Sequence, residues 1–138
     1  MFARLLLACG ALALFSGCVG PSADELRAAA RSLVPPESDV VAEVEADCVE
    51  LAPSPSCVHI YFLPPPRSRE ERAKAVEDAA RTAGWEPVSA ETFIGGTQLR
   101  FRRDGLKAVV GVWPAERSDR CRESPEKDCA DSVFVEAE

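Results

Sequence analysis

Six cysteines, one histidine and 23 acidic residues hold most of the chemistry open to this chain of 138 residues. The cysteines are Cys9, Cys18, Cys48, Cys57, Cys121 and Cys129. A thiol can bind metal, relay electrons, accept a lipid or pair into a disulfide, and spacing separates these roles. Structural zinc needs ligands clustered as C-x₂₋₄-C. Here eight residues separate Cys48 from Cys57 and seven separate Cys121 from Cys129, so no metal site is expected. A redox pair wants Cys-x-x-Cys, and the chain has none; no cofactor is expected. With His59 alone, most histidine-based sites lack ligands. No Gly-x-Ser-x-Gly elbow exists to expose a serine nucleophile, and Gly95-Gly96 lacks the lysine and helix of a phosphate loop. The many acids form accidental pairs, which leaves an envelope hydrolase using two carboxylates as the alternative activity. The leading expectation is a protein that is not an enzyme.

The N-terminus decides where this chemistry takes place. Arg4 is the only charge in residues 1–17, an apolar run follows from Leu5 to Phe15, and Ser16-Gly17 ends it with small residues. This is the three-part layout of a secretory signal peptide, and the run is shorter than the roughly 20 residues that a membrane span needs. Leu14-Phe15-Ser16-Gly17-Cys18 then resembles the lipobox of bacterial lipoproteins, with Phe15 where that family usually has Leu, Val or Ile. The resemblance covers about the first 20 residues. It implies a diacylglycerol on the Cys18 thiol, cleavage just before Cys18 and further acylation of the new amino group by chains such as palmitate. Two acyl chains anchor a protein stably where one does not. With 13 Arg against 3 Lys and abundant Ala, the layout is similar to that of small actinobacterial lipoproteins. The expected location is the extracytoplasmic face of a cell membrane, with plain secretion as the alternative.

Export changes the reading of the other thiols, because disulfides persist in oxidising compartments. Four cysteines allow three connectivities. Pairing Cys48 with Cys57 and Cys121 with Cys129 is favoured, because each pair brackets a short polar loop with proline between expected strands. A closed loop of this size contributes roughly 2–3 kcal/mol in the chain-entropy model. That help matters in a chain with a thin supply of large apolar residues.

The elements that must position these residues follow from periodicity. Ser22-Ala-Asp-Glu25 and Ser68-Arg-Glu-Glu71 are capping boxes. The first opens a helix with Leu26, Ala29, Ala30 and Leu33 on one face, stopped by Pro35-Pro36. The second opens a helix with Ala73, Val76, Ala80 and Ala83 inward and Gly84 just past its end. Val40 to Cys48 and Cys57 to Leu63 alternate as strands. Val88 to Ile94 is a further strand segment, and Asp104-Gly105 joins Thr97–Arg103 to Leu106–Trp113 as a hairpin. Ser132 to Glu136 is a short final strand. The expected fold is α+β: a two-layer sandwich with a mainly antiparallel sheet of about five strands, two helices on one face and two disulfides. Residues 1–17 are expected to be the signal peptide, 18–21 a short lipidated tether and 22–138 a single domain.

Alternation places His59 and Tyr61 on the sheet face away from the helices. Trp113 and Val109 are expected beside them as an apolar spot, the best candidate for binding a partner. Arg100, Arg102, Arg103 and Lys107 are expected either to pair with Glu43, Glu45 and Asp47 across strands or to meet anionic headgroups. A net charge of −7 argues against nucleic acid, which needs a basic face to displace counterions. The candidate face is therefore His59, Tyr61, Trp113, Arg100 and Arg102, in a non-catalytic binding or accessory module for another envelope component. Oligomeric state is not legible.

Overall fold

A computed structural model describes residues 20–47, 56–114 and 120–138. The expected signal peptide, Cys18 and Cys48 lie outside the described residues. Within them the chain forms helix α1 (Ala23–Arg31), strands β1 (Asp39–Asp47) and β2 (Ser56–Leu63), helix α2 (Arg69–Thr82) and strands β3 (Glu86–Phe93), β4 (Gly96–Arg103) and β5 (Leu106–Val112). A one-turn helix α3 (Pro125–Asp128) and strand β6 (Asp131–Ala137) complete it. No helix among the described residues is long and apolar enough to cross a membrane.

Both long helices start as the sequence dictates. Ser22 and Ser68 accept from the amides of Glu25 and Glu71, whose carboxylates return the bond to the serine amides. These reciprocal bonds satisfy backbone donors that a helix start leaves open. At the β4–β5 turn both central residues take positive φ, Asp104 at 49° and Gly105 at 76°. That is the twist a two-residue hairpin requires.

The sheet has six strands in the order β1-β2-β6-β5-β4-β3, every neighbouring pair antiparallel. This revises the expected count of about five strands and two helices. The weakest of the six is β3, expected over Val88–Ile94 and found at Glu86–Phe93, exposed on both faces along almost its whole length. Backbone pairing with β4 holds it rather than burial, so its hydrophobic pattern is weak. The third helix is α3, a single turn opened by Pro125.

One face of the sheet carries the core. Val58, Ile60 and Phe62 of β2, Val133 and Val135 of β6, Ala108 and Val110 of β5, and Leu99 and Phe101 of β4 are all buried. Their register sets them side by side: Val58 opposite Val135, Ile60 opposite Val133, Val110 opposite both Val133 and Leu99. Leu26, Ala29, Ala30 and Leu33 from the α1 region and Val76 and Ala80 from α2 join the same cluster. α1 lies against β2 and β6, and α2 against β3, β4 and β5. The small alanines let both helices approach closely.

One disulfide is seen, Cys121–Cys129, with Cα atoms 4.3 Å apart. Both cysteines are buried, and the bond closes the loop that carries α3. Cys57 is disulfide-bonded as well.

Candidate functional site

Period-two alternation puts the remaining strand residues on the opposite face. Val44, His59, Phe134, Val109 and Arg100 form one row across five strands. Ala42, Tyr61, Ser132, Gly111 and Gln98 form the next. The ring of His59 lies 5.4 Å from that of Tyr61 and 5.0 Å from that of Phe134, centroid to centroid. These are the spacings at which aromatic pairs attract. The result is a continuous half-buried aromatic strip along the middle of the sheet, bordered by Val109 and then by exposed Arg100.

Trp113 shares this face, though as a floor and not as an exposed spot. Its indole lies across Gly96 and Gly111. A Cβ on Gly96 would sit 2.6 Å from indole Cε3, and one on Gly111 would sit 2.9 Å from Nε1. Both glycines are covered as a result. Two side chains had to be missing for the indole to lie flat, and hydrophobic patterning does not show that. The Trp113 amide donates to Ala130 O at 2.9 Å, and its own carbonyl accepts from Arg72 at 2.6 Å.

The disulfide loop folds over the other end of the strip. Ser124, Pro125, Glu126 and Lys127 face Ala42, Val44 and Tyr61 across a groove of about 400 Å³. Burial lowers the His59 pKa below its ordinary 6.5, with the Glu126 carboxylate opposing. Burial raises the Tyr61 pKa above 10.0, and Glu126 adds to the rise. His59 is therefore neutral near pH 7 and Tyr61 keeps its proton, so both rings present apolar surface with one polar atom each.

His59, Tyr61, Trp113, Arg100 and Arg102 thus share one face. The expected pairing of Glu43 and Glu45 with the β4 arginines does not occur. β1 and β4 have three strands between them, and the two glutamates sit in register with Ile60 and Val58, on the helix side. There Arg27 bonds to Glu45, and Arg31 to Glu43. As an edge strand, β1 lets the long arginines of α1 reach over its margin to these acids.

The basic hairpin is also largely occupied. Lys107 pairs with Glu136 at 3.2 Å, and Arg102 pairs with Glu138. Arg103 points to the helix side, where it donates to Ala83 O at 2.8 Å and lies 4.6 Å over the Trp85 ring. Gly20 and Pro21 line the same groove as Asp104 and Gly105. The chain therefore enters the domain beside the β4–β5 turn, while exposed Phe93 and Ile94 mark the far end of β4.

Sequence reasoning missed one cluster entirely. Arg72 of α2 and Asp131 of β6 are 4% and 1% exposed and form an ion pair. Burial pushes the Asp131 pKa up to about 7 against the pull of Arg72. Arg72 occupies an inward position on a helix whose other inward residues are apolar, and that break in pattern was the available signal. No group of three or more His, Cys, Asp or Glu able to hold a metal occurs among the described residues. No protein-family model matches the chain, nor does any curated protein or solved structure.

Proposed function

We propose that this chain is a lipid-anchored binding module of the cell envelope, held at Cys18 and engaging another envelope component through the His59–Tyr61–Phe134 face. The observation that carries the reading is the aromatic strip itself. Three contacting rings and Val109 lie on the sheet face away from both long helices. Such strips, with polar tips and a charged border, suit protein partners better than solvent. Folded into a two-layer sandwich with a second disulfide between Cys48 and Cys57, the domain would be a rigid platform. That arrangement is supported by the common cluster of α1 and α2 residues and by the bonded state of Cys57. An anchor at Cys18 would hold the β4–β5 end near the bilayer and present the Phe93–Ile94 end outward.

The carboxylate hydrolase has less support. Asp131, the acid raised toward neutrality, shares with Glu37 a cavity of about 10 Å³, too small for a substrate. Glu43 and Glu45 each hold an arginine.

A photo-crosslinking amino acid at Tyr61 or Arg100, in cells making the full chain, should give a discrete adduct. The same group at Glu77 or Asp78 on α2 should give none. Equal adducts from both faces, or none from the open face, would remove the proposal. Cys18→Ala should release the protein from the membrane fraction; retention would remove the anchor alone.

A further inference from the structure

Three buried side-chain atoms among the described residues have no hydrogen-bond partner within the chain: Ser38 Oγ, Arg72 Nε and Asp131 Oδ2. They belong to distant parts of the sequence. Ser38 closes the turn after α1, where its amide donates to Pro35 O at 3.0 Å. Arg72 lies in the first turns of α2, and Asp131 opens β6. Buried polar atoms left unpaired are costly, and three at the lining of one cavity call for a common explanation.

All three residues line the same largely enclosed cavity, whose other walls are Pro35, Pro64, Pro65, Ala75 and the pair Glu37 and Arg67, which bond to each other at 2.9 Å. Its volume is about 10 Å³, the space needed by the centre of one water molecule. The guest is selected by donor and acceptor type as much as by size. Arg72 Nε–H only donates, ionised Asp131 Oδ2 only accepts, and the serine hydroxyl does either. A guest must accept from one wall and donate to another. A metal ion would face the guanidinium, an anion would face the carboxylate, and ammonium cannot accept. Water satisfies all three atoms at once, and protonation of Asp131 reverses one bond without expelling it.

We infer that this cavity is the binding site of one internal water, bridging Ser38 Oγ, Arg72 Nε and Asp131 Oδ2. The water completes a polar joint between the turn after α1, the start of α2 and the start of β6. It makes three bonds, the usual number for a buried water. The proposal is independent of the binding face and survives whatever that face engages.

A crystal structure of the full chain, at a resolution that places ordered water, tests it directly. The expected result is a solvent peak about 2.7–3.2 Å from all three atoms. Absence of the peak, or Arg72 Nε bonded directly to Asp131 with the cavity collapsed, would overturn it. Ser38→Val gives a second reading. Filling a dry apolar cavity raises Tm, whereas evicting a bound water leaves Arg72 Nε and Asp131 Oδ2 unpaired and lowers it. A Tm lower than that of the unsubstituted chain is expected, and a higher or unchanged Tm overturns the site. Should Ser38→Val not fold, a crystal of Ser38→Ala decides: the water stays on its two remaining partners, and its loss overturns the site.

Discussion

Arg72 and Asp131 stand 59 residues apart in the chain and meet as a buried ion pair, with Arg72 also holding the carbonyl of Trp113. One guanidinium thus ties the start of α2 to the end of β5 and the start of β6. The two charges differ in a way that mutation exposes. A carboxylate can take up a proton and become neutral, whereas a guanidinium stays charged. Asp131→Ala should therefore cost about 3–5 kcal/mol, the range for an uncompensated buried charge. Arg72→Met should cost less, about 1–3 kcal/mol, because Asp131 is left as a neutral acid. Denaturant titrations at pH 7 would show this order, and the reverse order would contradict it.

The same aspartate predicts a pH dependence. Its pKa is raised from 3.8 to about 7 in the folded chain, first by burial, with Arg72 opposing. Between these values the folded chain binds a proton that the unfolded chain has released. The group's contribution to stability is full below about pH 4 and is lost as pH rises to about 7. Subtracting the stability curve of Asp131→Asn from that of the unsubstituted chain should isolate this falling limb. A difference that rises with pH over the interval would reverse the assignment.

The glycines beneath Trp113 make a packing prediction. At Gly96 a methyl group would meet indole Cε3 at 2.6 Å and Val112 O at 2.8 Å, and the second of these is backbone. Gly96→Ala should destabilise by about 1–3 kcal/mol through overpacking and shift tryptophan fluorescence as the indole lifts. Fluorescence-detected unfolding reads both effects. An unchanged spectrum with unchanged stability would mean that the indole does not lie on this glycine.

The chain has one histidine and one tyrosine, and both lie on the candidate face. Each can be titrated without ambiguity, His59 by proton NMR below its ordinary 6.5 and Tyr61 by ultraviolet absorbance above 10.0. Glu126 raises both, so Glu126→Gln should move both downward together. Opposite shifts, or no shift in either, would place α3 elsewhere.

Removing the disulfide should loosen the same contact. Cys121→Ala with Cys129→Ala should lower stability by roughly 2–3 kcal/mol and bring the Tyr61 titration back toward 10.0, as Pro125 and Glu126 lose their hold over the groove. A doubly substituted chain with the original Tyr61 titration would show that α3 stays in place without the bond.

Much of the scaffold was legible because local rules fixed it. The capping boxes at Ser22 and Ser68, the Asp104-Gly105 turn and the alternation through Ile60 and Phe62 each act over a few residues. The Cys121–Cys129 pairing and the orientation of His59 and Tyr61 follow from the same short-range logic. The order of strands was not legible, because β6 pairs with β2 and β5 across long stretches of sequence that no turn signal spans. Nor were the partners of Glu43 and Glu45. Alternation offered them the basic residues of the β4–β5 hairpin, yet the edge position of β1 turns them under Arg27 and Arg31. Arg72 and Asp131 were hidden among many surface charges, since burial of a charge depends on which distant segment closes over it.

The placement of β6 sets when this fold can exist. The sheet is laid down from its margins inward: β1 and β2 make one flank, β3, β4 and β5 make the other, and the strand between them is the last of the six in sequence. Neither flank can reach its neighbour until that strand arrives, and pairings so distant in sequence form slowly. A chain emerging from its N-terminus would thus remain two unjoined wings and become a single cooperative body only when β6 arrives. The assembly of the sheet is timed by β6 rather than by β1.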